Sequence, residues 1–138
     1  MCNKSKNKNF RIYYVEAGGD IQVKGKLWRI GIRNPFNRKE NVKIIEVRDE
    51  GVATSGTYIR GQHVYNPFDP DRKITDVISI TVIGPNIYEA DRVATAALAM
   101  GKKGIEFIQK LDQFAGYMID HEGVAIYTNN FEKYVVKN

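Results

Sequence analysis

The chain reads as an α+β domain, built on a largely antiparallel sheet with two consecutive helices placed after the central strands. Short β-branched and aromatic stretches, punctuated by Gly-Gly, Asn-Pro and Asp-Glu-Gly, fill residues 10–84, as strands joined by tight turns would. Helical spacing of apolar residues then takes over from Asn86 to Leu111, and a final hairpin pattern returns the chain to the sheet. This order of about six strands, two helices and two strands is unlike the strict alternation of a doubly wound fold.

The elements follow in order. "FRIYYVEAGGDIQVKGK" gives two strands across the Gly18-Gly19 turn, and "LWRIGIRNP" gives a third, closed by Asn34-Pro35. "NVKIIEVRDEGVATSG" gives a strand, a turn around Asp49-Glu50-Gly51, and a short strand entering a small-residue loop. "DVISITVIGP" is apolar on both faces, which predicts a buried central strand. Asn86 as N-cap, with Glu89 three positions on, opens the first helix in the manner of a capping box, and Gly101 closes it. A second helix is expected over Lys103–Leu111, with Ile105, Ile108 and Leu111 inward. "GYMIDHEGVAIYT" predicts a hairpin turning at Asp120 to Gly123.

With 138 residues, 43% hydrophobic and 27% charged, the chain suffices for one domain with a real core. Residues 1–9 form a polar basic tail and residues 10–138 the expected single domain. The net charge is +5, but Lys4, Lys6 and Lys8 of that tail supply three of the positive charges. No arginine-rich segment, paired-aromatic RNA motif or zinc-finger spacing accompanies them, so nucleic acid is not an expected partner. Cys2 is the single cysteine, which excludes an internal disulfide framework and leaves the compartment open. The sequence as written shows no apolar run of membrane-spanning length and no export signal.

Three stretches carry candidate chemistry. Asp91 and Thr95 lie four residues apart in the helix "NIYEADRVATAALAMG" and so share one face. A carboxylate and a hydroxyl on adjacent turns suit part of a hard divalent cation site; an acid in the first turn facing the macrodipole, with a packed threonine, is the plainer reading. Thr54, Ser55 and Gly56 in "GVATSGTY" offer N–H groups and hydroxyls to a phosphate or polar ring edge, or make an ordinary turn. His63 in "GQHVYNP", at the end of an expected strand, suits a general base near neutral pH or a structural role. His121 falls in the expected hairpin turn and is given no role.

Taken in order, "YYVEAGGDIQVKGK", "LWRIGIRNP", "GVATSGTY", "HVYNP", "ISITVIGPNIYEADRVATAALAMG" and "GYMIDHEG" resemble the second half of the FAD:protein FMN transferases, the ApbE-like flavin transferases. The match runs from about Phe10 to Val136. The resemblance implies Mg²⁺ bound at Asp91 and Thr95, with Ala90, Ala94, Ala96 and Ala97 permitting close approach of backbone and ligand. It places His63 near the reacting phosphate, and Gly18, Gly19, Thr54, Ser55, Gly56 and Tyr65 around the flavin nucleotide. It implies FAD as substrate, transfer of FMN onto a threonine or serine hydroxyl of a target protein, and release of AMP. Asn66 stands where the family usually has Asp. The family's first half has no counterpart in these residues, so an N-terminal half or second chain is an expected partner. The alternative is a non-catalytic flavin- or nucleotide-binding module of the same fold.

Overall fold

The computed structural model describes residues 11–56, 65–66, 69–73 and 77–136, with the backbone alone described for residues 38, 65–66 and 69–73. The basic tail and His63 lie outside the described residues.

Strands β1 (Tyr13–Ala17) and β2 (Asp20–Lys24) pair antiparallel across Gly18 and Gly19. Those glycines have φ of 61° and 93°, left-handed values that cost an L side chain energy and explain the pair. β3 (Trp28–Asn34) and β4 (Asn37–Val47) make a separate two-stranded hairpin, so β4 starts earlier than the expected Asn41. β5 (Gly51–Gly56) follows. Two short strands, β6 (Tyr65–Asn66) and β7 (Asp69–Lys73), pair with each other. β8 (Val77–Gly84), helices α1 (Ile87–Ala99) and α2 (Gly104–Gln109), and strands β9 (Ala115–Asp120) and β10 (Ala125–Tyr127) complete the order. The main sheet runs β1-β2-β5-β8-β9-β10 with every neighbour antiparallel. β8 is central, as its two apolar faces require. Among the described residues no helix is long and apolar enough to cross a membrane.

The sheet separates two cores. On one face the β3–β4 hairpin lays Ile30, Ile32, Ile45 and Val47 over Ile21, Val23, Val52 and Ile83, with Phe131 closing the end. On the other, α1 and α2 press Ala90, Val93, Ala94, Ala97, Leu98, Ile105 and Ile108 onto Ala53, Ile80, Val82 and Met118. Each fully buried branched side chain in these layers contributes roughly 1.5–3 kcal/mol. The chain end is stitched back across the first core: Val136 N–H donates to the Ile44 carbonyl at 3.0 Å, and the Tyr134 hydroxyl donates to Glu50 at 2.8 Å.

Asn86 caps α1 by accepting from the Glu89 N–H at 2.9 Å, while the Glu89 carboxylate turns to Arg92. Gly101, at φ 68°, ends the helix. A single 3₁₀ turn, Gly101–Lys103, intervenes before α2, which covers six residues rather than Lys103–Leu111. The reason is steric: a side chain at Gly104 would strike the Ala97 carbonyl, so this close crossing fixes where the second helix starts.

Gly51 is the tightest approach of strand to helix, since a Cβ there would overlap the backbone of Asn86 and Ile87. Gly51→Ala is expected to destabilise the fold by about 1–3 kcal/mol, the usual cost of overpacking, seen as a lowered urea midpoint with unchanged slope; an unchanged midpoint would show that α1 does not lie this close.

The β9–β10 turn is held by Asp120, 3% exposed. Its carboxylate accepts from the N–H groups of Val124 and Glu122, each at 2.9 Å, and lies 3.8 Å from Lys102 Nζ. The Val124 N–H above all, with Glu122, Lys102 and His121, holds Asp120 below the usual carboxylate range against the opposing effect of burial. A depressed folded pKa adds stability that is present above the unfolded value and lost as pH falls through the folded one. Asp120→Asn should therefore lower the urea midpoint at neutral pH, and the gap from the parent chain should close as pH falls below the usual Asp range. A gap independent of pH would place the effect outside the charge.

Candidate functional site

The candidate residues gather around β5. Its register with β8 runs unbroken from Gly51↔Gly84 to Gly56↔Ser79, so Thr54, Ser55 and Gly56 form a strand and not the compact loop expected. Successive side chains in a strand point to opposite faces. Thr54 accordingly faces the β3–β4 hairpin with Val52, and Ser55 faces α1 with Ala53. The expectation that both residues line one flavin region is corrected by this alternation.

On the hairpin face lies a cleft of about 360 Å³. Gly18, Gly19 and Glu16 form one wall, and the β3 segment from Ile30 to Pro35 forms another. Thr54 and Thr81 line it, with hydroxyl oxygens 2.9 Å apart. Val52 and Ile21 add apolar surface. Glu16 accepts from the Tyr14 hydroxyl at 3.3 Å, and burial, then the Glu16 carboxylate, push the Tyr14 phenol above its usual range. Apolar walls with a few convergent polar groups suit a planar heterocycle or sugar. Gly18, Gly19 and Thr54 thus line one cleft. Thr81, Glu16 and Asn34 join them unforeseen. Thr81 was visible only as a hydroxyl interrupting the apolar run "ISITVIGP".

On the helix face, Asp91 and Thr95 share one side of α1. Thr95 is exposed and Asp91 half-buried. The Oδ1 atom of Asp91 is buried and, among the described residues, has no hydrogen-bond partner. Such an atom loses its hydration without replacement, a costly state for a carboxylate oxygen unless a cation or donor meets it. Thr95 Oγ1 lies 3.4 Å from Ser55 Oγ, and Ser55 is 5% exposed. Among the described residues no three His, Cys, Asp or Glu side chains gather. One carboxylate beside hydroxyls is an all-oxygen donor set, which fits a hard cation such as Mg²⁺ or Ca²⁺ rather than a soft one. Ala90, Ala94 and Ala97 are fully buried against the sheet and α2, where they bring backbone close to backbone.

His63 lies outside the described residues, as does its expected approach to the Thr54–Gly56 segment. Tyr65 falls in β6, where the backbone alone is described.

Comparisons with known proteins identify the family to which this mixed antiparallel fold belongs. The ApbE family matches residues 1–118, and the chain belongs to that family. It is 31% identical over 130 residues to the FAD:protein FMN transferase of Klebsiella pneumoniae, and 30% identical to that of Salmonella typhimurium. Both matches cover 84% of this chain and 37% of the relative. Among solved structures, the Thermotoga maritima ApbE protein superposes with a TM-score of 0.80 at 24% identity, covering 91% of this chain and 45% of that one. The flavin transferase ApbE from Vibrio cholerae gives 0.73 at 31% identity, covering 90% and 44%. The chain thus spans less than half the length of these relatives, and resembles their C-terminal half as the sequence motifs implied.

The Thr54–Thr81 pair allows a direct check of the cleft. Thr81→Val should cost about 1 kcal/mol by leaving the partly buried Thr54 hydroxyl without its partner. Combining it with Thr54→Val should cost less than the sum of the two single changes. Strict additivity in a urea double-mutant cycle would mean that the two hydroxyls do not bond.

Proposed function

We propose that the chain is the metal-binding portion of an FAD:protein FMN transferase. In this reading FMN passes from FAD to a threonine or serine hydroxyl of a target protein, and AMP is released. The observation that carries it is the buried, unpartnered Oδ1 of Asp91 beside the Thr95 and Ser55 hydroxyls, in a chain whose relatives are named FAD:protein FMN transferases.

Asp91 and Thr95 would hold Mg²⁺, which when bound supplies charge neutralisation at the pyrophosphate oxygens. The Gly18–Gly19 turn, Thr54 and Thr81 would hold a ring or sugar of the dinucleotide in the cleft. Gly56, at the end of β5, would let the ligand pass from the cleft to the helix face with no side chain in the way. His63 would take the acceptor hydroxyl's proton as that oxygen bonds to the FMN phosphorus and the bond to the AMP phosphate breaks. Tyr65 would add to the nucleotide's surroundings. Because the chain spans less than half of its relatives, further polypeptide, in the same or a second chain, would supply the remaining flavin contacts. The second reading is a non-catalytic flavin- or nucleotide-binding module of the same fold.

The test mixes the chain, FAD, Mg²⁺ and a Thr-containing acceptor domain, and follows covalent flavin by mass and AMP by chromatography. The chain alone should transfer far more slowly than a full-length relative, because loosely held FAD forfeits the proximity advantage. Adding a relative's N-terminal half should restore transfer, and His63→Ala should then lower turnover about 10²–10⁴-fold with little change in FAD affinity. Full-rate transfer by the chain alone would remove the need for a second half. Silence with that half present would favour the binding module.

A further inference from the structure

We propose that Ser55 is a third side-chain oxygen donor of the Asp91–Thr95 cation site, and not part of the nucleotide cleft to which its sequence neighbours belong. This rests on reading that site as a Mg²⁺ site. Three observations support it. The strand alternation places Ser55 on the α1 face, opposite Thr54 and the cleft. The side chain is buried, and among the described residues its hydrogen-bond partner is Thr95, at 3.4 Å. An ordinary hydroxyl pair closes to about 2.8 Å, so these two oxygens converge without forming a tight bond and keep lone pairs for a third atom.

The separation has a natural size. Two oxygens held at right angles by one cation lie about 2.9 Å apart for Mg²⁺ and about 3.3–3.7 Å for Ca²⁺, from their usual bond lengths. At 3.4 Å the Ser55–Thr95 pair falls in the looser, Ca²⁺ range, and a Mg²⁺ ion would draw the two oxygens about half an ångström closer. The third donor is the buried Oδ1 of Asp91, one turn earlier on the same helix face. Two donors from the helix and one from the strand would make the site depend on the packing of α1 against β5. A cation would then brace that packing in return.

The test uses the whole chain and reads binding rather than turnover. Tb³⁺, a luminescent oxygen-seeking stand-in, is titrated and displaced with Mg²⁺, and its lifetime in H₂O and D₂O counts the bound waters. Ser55→Ala should weaken binding on the order of tenfold and add one water, with an unchanged circular dichroism spectrum. In a Cys2→Ser background, Ser55→Cys should turn the site toward a soft metal. Cd²⁺ should then give a thiolate charge-transfer band that Asp91→Ala abolishes. A purely structural serine would produce neither the extra water nor the band. If Asp91→Ala removes Tb³⁺ binding while Ser55→Ala and Ser55→Cys change nothing, Ser55 is no ligand and the cation site stands without it. If Asp91→Ala has no effect, or the parent chain binds no Tb³⁺ saturably, the cation site itself is overturned and the assignment of Ser55 falls with it.

Discussion

The site depends on the close packing of α1 against β5. Gly51 leaves room for the helix's first turn, because any side chain there would occupy the Asn86–Ile87 backbone. From that point helix and strand advance in step. Eight residues of helix, from Ile87 to Thr95, rise about 12 Å, and four residues of strand, from Gly51 to Ser55, about 13 Å. This match is why the Thr95 and Ser55 hydroxyls meet. The buried Oδ1 of Asp91 has no partner among the described residues, and a cation is a partner whose charge would offset its burial.

The sheet serves as a partition between two chemistries. Its hairpin side carries the cleft, with paired threonine hydroxyls among isoleucine and valine side chains. Its helix side carries the oxygen cluster. Thr54 and Ser55, adjacent in sequence, belong to different sides. A dinucleotide reaching both would bend around the end of β5, where Gly56 stands.

Membership of the ApbE family agrees with this layout, and the shared fold covers nearly the whole chain while accounting for under half of each relative. The cleft and the hydroxyl cluster are both built on this chain's own sheet and first helix.

Much of this was legible in the sequence because it is decided locally. The Gly18-Gly19 turn, the alternation of β3, the doubly apolar β8, the Asn86 cap and the Asp120–Gly123 turn each rest on a few neighbouring residues and their backbone preferences. The helical spacing of Asp91 and Thr95 likewise determined that they share a face. What the sequence left open was decided between elements. Small residues are common to loops and to close-packed strands, so "ATSG" gave no sign that it is a strand; only pairing with β8 settles it. The start of α2 at Gly104 depends on a carbonyl seven residues earlier in space-filling contact, beyond the reach of periodicity. Thr81 became Thr54's partner through strand register, and Ser55 was drawn to Thr95 through helix–strand packing. The sequence by itself determined the tight turns, the helix cap and the shared helix face of Asp91 and Thr95. Only the tertiary structure decided which side of the sheet each one serves, because that choice is made by registers and crossings that join residues 27 to 40 positions apart.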